Sequence, residues 1–375
     1  MMTNKFFPEI HGNFGFGMMR LPMQDKEIDI EQVKAMVDAF LEAGFNYFDT
    51  AHGYHSGKSE TTIREALTSR YPRDKYLLTD KLTAPYFEKQ EDIEPFFRSQ
   101  LSACGVDYFD FYLMHAQGSG NFPKFKSCRA YETAFALKEQ GLIRHVGISF
   151  HDSPEVLDEI LNTYPQIEMV QLQLNYLDWN NPGVQSGRCY EVCVKHGKPV
   201  SVMEPVKGGS LVNLPEEADR IFRELGGGSN ASYAVRFAAS HENVRVVLSG
   251  MSTFEQMEDN VKTMKDFVPL NDAENEAIAK VVDIIVSKDL IPCTACHYCT
   301  EGCPMQIRIP EIFECLNRYN AYGGWNYKSH YNRELTGDGH GKASECLQCG
   351  QCEGICPQGL PIISLLQKAA ETLEK

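Results

Sequence analysis

Short apolar runs alternate with amphipathic segments along the first two thirds of the chain. The runs are short and rich in β-branched and aromatic residues, whereas the amphipathic segments repeat apolar positions every three or four residues, as helices do. The predicted strands are Phe14–Met18, Phe45–Asp49, Tyr76–Lys81, Tyr108–His115, Ile143–Ser149, Met169–Leu174, Val200–Glu204 and Val244–Ser249. The predicted helices are Ile30–Ala43, Glu60–Ser69, Ile93–Cys104, Ala130–Gln140, Pro154–Asn162, Gly187–His196, Ala231–Ser240 and Phe254–Met264.

This alternation predicts an α/β fold, a (β/α)8 TIM barrel. Near-continuous apolar strands are typical of a parallel sheet buried on both faces, and eight such units fill the roughly 250 residues of a TIM barrel. A doubly wound sheet is the rival, but no G-x-G-x-x-G follows the first strand, and Gly15-Phe-Gly17 alone is weak support for it. We therefore predict a barrel domain over residues 1–268.

Two further segments follow the predicted barrel. Residues 269–290 are predicted to form a connecting helix, with Asn271 and Glu274 in a capping box at its start. Residues 291–375 are predicted to form a small, mainly α-helical domain with a helix near Pro310–Asn320.

Bulk composition narrows the classes of partner. The 375 residues are 43% hydrophobic and 23% charged, with a formal net charge of −15. This acidic balance opposes nucleic-acid binding, which requires a basic face, and it opposes an anionic membrane surface. No run of 18 uncharged apolar residues and no signal-peptide pattern is present. We expect a cytoplasmic protein that binds neither nucleic acid nor membrane.

Eight of the thirteen cysteines form two copies of C-x2-C-x2-C-x3-C-P. The copies are Cys293, Cys296, Cys299 and Cys303, and then Cys346, Cys349, Cys352 and Cys356. This spacing is typical of a pair of [4Fe–4S] clusters, in which the fourth cysteine of each run binds the other cluster. One cluster is thus predicted on Cys293, Cys296, Cys299 and Cys356, and the second on Cys346, Cys349, Cys352 and Cys303.

Zinc and disulfides are the alternatives for these cysteines. A zinc site usually takes two separated C-x2-C pairs, and a disulfide framework requires an oxidising compartment. The remaining cysteines are interpreted as buried small hydrophobes: Cys104, Cys128, Cys189, Cys193 and Cys315.

Four polar residues stand at or just after the predicted ends of consecutive strands: Asp49, Tyr54, Lys81 and His115. In a barrel such positions face one pocket. Reduction of a carbonyl requires a proton donor, and an adjacent ammonium lowers the pKa of a tyrosine from about 10 toward the working range. We expect Lys81 to act in this way on Tyr54, Asp49 to hold Lys81, and His115 to orient the carbonyl. Taken singly, a core histidine and a structural ion pair are the plainer readings.

The segments Phe48-Asp49-Thr50-Ala51-His52-Gly53-Tyr54, Asp80-Lys81 and Leu113-Met114-His115 resemble the catalytic motifs of the aldo-keto reductases. With its paired cysteine motifs, the chain is similar to the ferredoxin-fused branch of that family, whose cluster domain is ferredoxin-like. The resemblance implies NADP or NAD as cofactor. It implies nucleotide contacts at Gly17, Met18, Ser149, Gln171, Met203, Pro205, Gly250, Ser252, Gln256 and Asn260.

Two departures bear on the cofactor. Met203 stands where the family usually places an aromatic residue against the nicotinamide, and Ser252–Gln256 contains no cation for a 2′-phosphate. Lys207 and Lys262 are the candidates to supply that charge.

Three functions remain open at this point. The first is hydride transfer between NAD(P)H and a small carbonyl or alcohol substrate, with Tyr54 as general acid–base. The second is an iron–sulfur redox enzyme whose clusters exchange electrons with the barrel site or with an external ferredoxin. The third is a non-catalytic barrel with structural or redox-sensing clusters.

Overall fold

The computed structural model describes residues 6–288, 290–322, 325–337 and 339–375. Two compact units form within these residues. The first comprises the described part of Met1–Asn181, Gln185–Pro205 and Ala231–Leu270, and the second comprises Pro182–Val184, Val206–Asn230 and the described part of Asn271–Lys375. The segment Val206–Asn230, predicted within the barrel domain, thus groups with the C-terminal residues. The first five residues of the predicted barrel domain and Asp289 of the predicted connecting helix lie outside the described residues.

Eight parallel strands close into a barrel, so the predicted fold class is confirmed. Their order around the barrel is β1-β10-β9-β8-β7-β6-β5-β4. The strands are β1 (Phe14–Gly17), β2 (Met23–Gln24), β3 (Glu27–Ile28), β4 (Tyr47–Asp49), β5 (Leu77–Leu82), β6 (Phe109–Gln117), β7 (Ile143–Phe150), β8 (Met169–Gln173), β9 (Val200–Met203) and β10 (Val244–Gly250). Strands β2 and β3 form a separate antiparallel hairpin that the sequence did not predict.

Helices alternate with the barrel strands and continue into the second unit. They are α1 (Ile30–Glu42), α2 (Ser59–Ile63), α3 (Gln90–Cys104), α4 (Phe122–Ser127), α5 (Ala130–Glu139), α6 (Pro154–Thr163), α7 (Ser186–Lys195), α8 (Glu216–Leu225), α9 (Asn230–Ala239), α10 (Phe254–Lys265), α11 (Asp272–Ser287), α12 (Tyr298–Glu301), α13 (Ile309–Tyr322), α14 (Trp325–His330), α15 (Gln351–Ile355) and α16 (Ile362–Leu373). The helix predicted over Glu60–Ser69 is α-helical only at its start, because Arg64–Thr68 winds as a π-helix.

The amino-terminal end of the barrel is closed by apolar side chains and by the N-terminal segment. A buried cluster fills it: Ile10, Tyr47, Leu77, Phe111, Met169, Val246 and Leu248. The Arg245 guanidinium donates hydrogen bonds to the carbonyl oxygens of Phe6 and Gly12, which fixes this segment across the strand starts. Polar side chains of the barrel interior are therefore found toward the carboxyl ends of the strands.

The second unit has its own apolar core. Helices α13 and α16 supply much of it, through Ile312, Phe313, Leu316, Leu366 and Ala369. At the start of α11, Asn271 Oδ1 accepts from the Glu274 amide at 3.0 Å, and Glu274 Oε2 accepts from the Asn271 amide at 2.9 Å. The predicted capping box is confirmed. Among the described residues, no helix is both long enough and apolar enough to cross a membrane.

Candidate active site and cysteine-lined cavities

Strand register brings the four predicted polar residues to one end of the barrel. Asp49 ends β4, Lys81 lies near the end of β5, and His115 lies near the end of β6. Tyr54 follows β4 in a short turn, where its amide donates to the Ala51 carbonyl at 3.0 Å. The turn continues through His55 and Ser56, both at positive φ, a conformation that costs energy for residues other than glycine.

The Lys81 ammonium is the centre of this group. The side chain is fully buried, and Nζ donates to Asp49 Oδ1 at 2.6 Å, to the Thr50 carbonyl at 2.7 Å and to Tyr54 Oη at 3.3 Å. A buried ammonium is tolerated when a carboxylate and further acceptors replace its hydration. The Asp49–Lys81–Tyr54 arrangement expected from the sequence is present in the structure.

The protonation of Tyr54 differs from the expectation. Burial, followed by the charges of Asp49, Asp80 and Glu204, raises the pKa of Tyr54 well above 10. The expected direction of this pKa is wrong, because burial and three acidic side chains favour the neutral phenol. Tyr54 is consequently a neutral phenol, the form that can give a proton.

His115 is held as a neutral imidazole facing Tyr54. Its ring lies edge-on to the Tyr54 ring, with 6.1 Å between centroids. Burial, and then the charge of Lys81, lowers the pKa of His115 well below 6.5. Nδ1 lies 2.7 Å from Thr83 Oγ1, and when the threonine hydroxyl donates, Nε2 carries the proton and can donate to a ligand.

A buried pair of carboxyl groups lies outside the barrel wall, and the sequence did not single it out. Alternation along β5 turns Asp80 away from Lys81, and burial together with the charge of Glu60 raises the pKa of Asp80 well above its usual range. Glu60 accepts from Gln100 Nε2 at 3.1 Å and lies 2.9 Å from His52 Nδ1. The alternation of side chains along β5 could have predicted that Asp80 points away from Lys81.

The predicted nucleotide contacts lie at the ends of neighbouring strands or in the loops that follow. Gly17 is in register with Gly250 and with Asp49, and Ser149 is in register with Gln171. Met203 is the last residue of β9, and Pro205 lies two residues beyond it. Met18 follows β1, and Ser252, Gln256 and Asn260 follow β10.

The contacts of these residues vary in how well they suit a nicotinamide. Ser149 Oγ accepts from the Ala116 amide at 2.7 Å, which leaves its hydroxyl proton to donate. Gln171 Nε2 donates to Asp49 Oδ2 at 3.0 Å, so this amide also braces the carboxylate. Asn260 Nδ2 donates to Ser249 Oγ at 3.1 Å, while its Oδ1 is enclosed without a partner in the described structure.

Arg20 is a cation near these strand ends that was not predicted from the sequence. Its side chain lies against Gly250, where an added Cβ would stand 3.1 to 3.3 Å from the aliphatic carbons of Arg20. Ser252 Oγ donates to the Arg20 carbonyl at 3.0 Å, and the guanidinium lies 3.8 Å from Glu204. Arg20 and Gly250 are far apart in the chain, so only the closed barrel reveals their proximity.

The two cysteine runs fold in the same way. In each run the residues before and after the second cysteine have positive φ: Ala295 and His297 in the first, Gln348 and Gly350 in the second. A short helix follows each turn, α12 in the first run and α15 in the second. Equivalent turns therefore present three cysteines of each run to one side.

Each set of four cysteines grouped by the sequence borders one cavity. Cys293, Cys296, Cys299 and Cys356 line one space, and Cys303, Cys346, Cys349 and Cys352 line a second one. The other walls are mainly apolar and include Ile309 in both cases. Four thiols around one mainly apolar space are the ligand set of a [4Fe–4S] cluster.

Residues 13–283 match the aldo/keto reductase family, and this match spans most of the chain. The chain belongs to the aldo/keto reductase family. Residues 292–360 match the 4Fe-4S dicluster domain. The suspected relationship to the branch of aldo/keto reductases with a ferredoxin-like domain is thereby confirmed.

Curated relatives of this aldo/keto reductase are distant. An uncharacterised oxidoreductase of Schizosaccharomyces pombe is 26% identical over 278 residues, which are 69% of this chain and 84% of that protein. The NADH-specific methylglyoxal reductase of Escherichia coli is 26% identical over 197 residues, which are 47% of this chain and 57% of that protein. Membership and relatives together indicate an oxidoreductase.

Solved structures agree on the barrel. An aldo-keto reductase from Bacillus halodurans in its holo form is 26% identical, with a TM-score of 0.57 over 72% of this chain and 91% of that chain. An aldo-keto reductase from Klebsiella pneumoniae, solved in complex with NADPH, is 18% identical, with a TM-score of 0.59 over 72% of this chain and 90% of that chain. The second likeness shows the fold alone.

Proposed function

We propose that this protein reduces small carbonyl compounds by hydride transfer from NADPH or NADH, with Tyr54 as the proton donor. The observation that carries the proposal is the buried Lys81 ammonium between Asp49 and Tyr54, beside the neutral His115. These side chains meet at the end of a barrel where enzymes of this fold keep their active sites. The same residues serve alcohol oxidation in reverse.

The proton transfer follows from the protonation states of the site. The neutral Tyr54 hydroxyl gives its proton to the carbonyl oxygen as the carbonyl carbon receives hydride. The phenolate that remains lies 3.3 Å from the Lys81 ammonium, which stabilises the negative charge at the moment it forms. His115 Nε2 donates a hydrogen bond to the same oxygen and fixes the carbonyl relative to Tyr54.

The residues at the strand ends fit a nicotinamide dinucleotide, which supplies the hydride when bound. Ser149 and Gln171 are suited to the carboxamide, and Met203 can pack its thioether against the ring. Gly17, Met18, Pro205 and Gly250 border the same strand ends, and we assign Ser252, Gln256 and Asn260 to the adenosine part of the nucleotide.

Arg20 is the cation best placed to favour NADPH. Its proximity to Gly250 and Ser252 supports a contact with a phosphate group, because guanidinium–phosphate hydrogen bonds are among the strong ones. In contrast, the Lys207 ammonium donates a hydrogen bond to Gln358, which makes Lys207 a poor candidate for binding the 2′-phosphate.

Replacing Arg20 by glutamine is expected to raise KM for NADPH by about tenfold, equivalent to about 1.4 kcal/mol, and to change KM for NADH much less. Steady-state kinetics with both nucleotides measure this difference. Lys265→Gln is the matched control, since it removes an exposed cation from the last turn of α10. Equal losses with both nucleotides in Arg20→Gln would rule out a contact specific to the 2′-phosphate.

The eight motif cysteines support two [4Fe–4S] clusters in the second unit, with the ligand sets described above. Iron and acid-labile sulfide content of anaerobically purified protein tests this directly, with eight of each expected per chain if both clusters are complete. Substantially lower content after reconstitution in the presence of iron and sulfide would contradict two clusters.

The exposure of Cys349 favours a second candidate function, electron exchange between the clusters and an external carrier such as a ferredoxin. The decisive test is anaerobic: NADPH or NADH is added to cluster-loaded protein with a panel of small aldehydes and ketones. Oxidation of one nucleotide per carbonyl reduced, with no cluster EPR signal, supports direct hydride transfer. Cluster reduction by nucleotide, or turnover only with reduced ferredoxin, would favour the second candidate and count against the first.

A further inference from the structure

Lys207 carries a buried ammonium next to the first cysteine-lined cavity. Only 1% of Lys207 is exposed, and its Nζ donates to Gln358 Oε1 at 2.7 Å. Gln358 is itself buried and lines the cavity of Cys293, Cys296, Cys299 and Cys356, to which Thr294 also contributes. One hydrogen bond therefore connects the ammonium to a wall of this cavity.

The backbone around Lys207 is shaped to permit this close approach. Lys207 has φ 47° and Gly208 has φ 63°, both in the left-handed region. A Cβ on Gly208 would overlap the carbonyl oxygen of Thr294, the residue that follows Cys293. Glycine is the residue that accepts both the conformation and the contact. The loop is therefore in van der Waals contact with the first cysteine run, and it brings Lys207 with it.

The two cysteine sets differ in the exposure of one member each. Cys299 of the first set is buried, whereas Cys349 of the second set is exposed and its neighbour Leu347 is 63% exposed. Water and salt screen a charge at an exposed site strongly, but a buried charge acts at a much lower effective dielectric constant. A fixed cation at the first cavity thus has a larger effect than a surface lysine has at the second.

We propose that Lys207 tunes the redox potential of the first cluster through its charge. The ammonium, held by Gln358, raises the one-electron reduction potential of the cluster bound by Cys293, Cys296, Cys299 and Cys356. Net charge around a cluster, hydrogen bonds to it and its exposure to solvent are the determinants of its potential, and a nearby positive charge favours the more negative, reduced form. An electron entering at the exposed Cys349 side would then pass to the first cluster more readily than it would without this charge. The inference rests on the cluster assignment and is independent of the carbonyl reduction.

The test is an anaerobic redox titration of the full-length, cluster-loaded protein, followed by EPR. The signals are first assigned with a Cys349→Ser variant, which perturbs the second cluster. Lys207→Gln is expected to lower the potential of the first cluster so that its ratio of reduced to oxidised form falls at least tenfold at fixed potential, which is about 59 mV for one electron. Lys207→Arg, which keeps the charge, should titrate close to the unmodified protein.

Two controls separate this electrostatic role from a structural one. Lys342→Gln removes an exposed cation four residues before Cys346 and should leave both potentials unchanged. Gln358→Glu keeps an acceptor for Lys207 but adds a negative charge, and should lower the potential of the first cluster even if Lys207→Gln loses clusters. Full iron content with an unshifted first potential in Lys207→Gln, or in Gln358→Glu, would overturn the proposal, whereas missing clusters in the unmodified protein would refute the assignment instead.

Discussion

Replacing Tyr54 by phenylalanine is expected to lower kcat for carbonyl reduction by about 10³-fold, within the range that positioned acid–base groups contribute. The phenol is the neutral group in contact with the Lys81 ammonium, and phenylalanine keeps its ring while removing the proton. KM for the nucleotide should change little, because hydride-donor binding does not depend on the hydroxyl. Stopped-flow or steady-state oxidation of NADPH with a reactive aldehyde measures the effect.

Tyr71→Phe is the matched control for this variant. It removes a phenol that donates to Asp38 on the helical exterior of the barrel, at 2.6 Å, and it should leave turnover unchanged. Iron content should be the same in all three proteins. A Tyr54→Phe protein with more than a tenth of the original kcat would eliminate Tyr54 as the proton donor.

The protonation states also give an expected pH profile. The pKa of Tyr54 is raised well above 10 and that of His115 is lowered well below 6.5, so neither group changes protonation between those values. The kcat/KM for carbonyl reduction should therefore be flat from about pH 6 to about pH 9, and should fall only as pH rises through the pKa of Tyr54. A bell-shaped profile centred near neutral pH would contradict these assignments.

The barrel strands could be predicted because each one is marked by an apolar run within its own residues. A strand buried on both faces is an apolar run wherever it occurs, and this pattern located β5, β6 and β7 within one or two residues. The hairpin of β2 and β3 was not predicted, because strands of two residues are too short to show a periodic pattern. Helix α8 was not predicted either. Ala218 and Phe222 are its only buried residues, and such a short apolar stripe is hard to distinguish from a polar loop.

The chemistry of the site depends on distances that a sequence does not contain. Strand ends predicted that Asp49, Lys81 and His115 would converge. The direction of the Tyr54 pKa depended on how deeply Tyr54 is buried, and then on the charges of Asp49, Asp80 and Glu204. Arg20 had no motif to mark it, since its relevance comes from packing against Gly250.

Replacing Lys81 by methionine is expected to abolish turnover and to lower the free energy of unfolding by about 3–5 kcal/mol, the usual cost of leaving one partner of a buried ion pair alone. Methionine fills much of the lysine volume, so the effect comes from the charge. The Asp49 carboxylate would keep its hydrogen bond from Gln171 but lose its cation. Urea unfolding of the barrel, monitored by circular dichroism, measures the loss.

The double variant Asp49→Asn/Lys81→Met separates stability from chemistry. Asparagine keeps an oxygen for Gln171 Nε2 and removes the unpaired charge, so much of the lost stability should return. Turnover should not return, because nothing is left to stabilise the Tyr54 phenolate as it forms. If the double variant regained both stability and kcat, Lys81 would be a structural residue only. If it regained neither, the defect of Lys81→Met would lie in packing, and the ion pair would not be the source of the stability of this site.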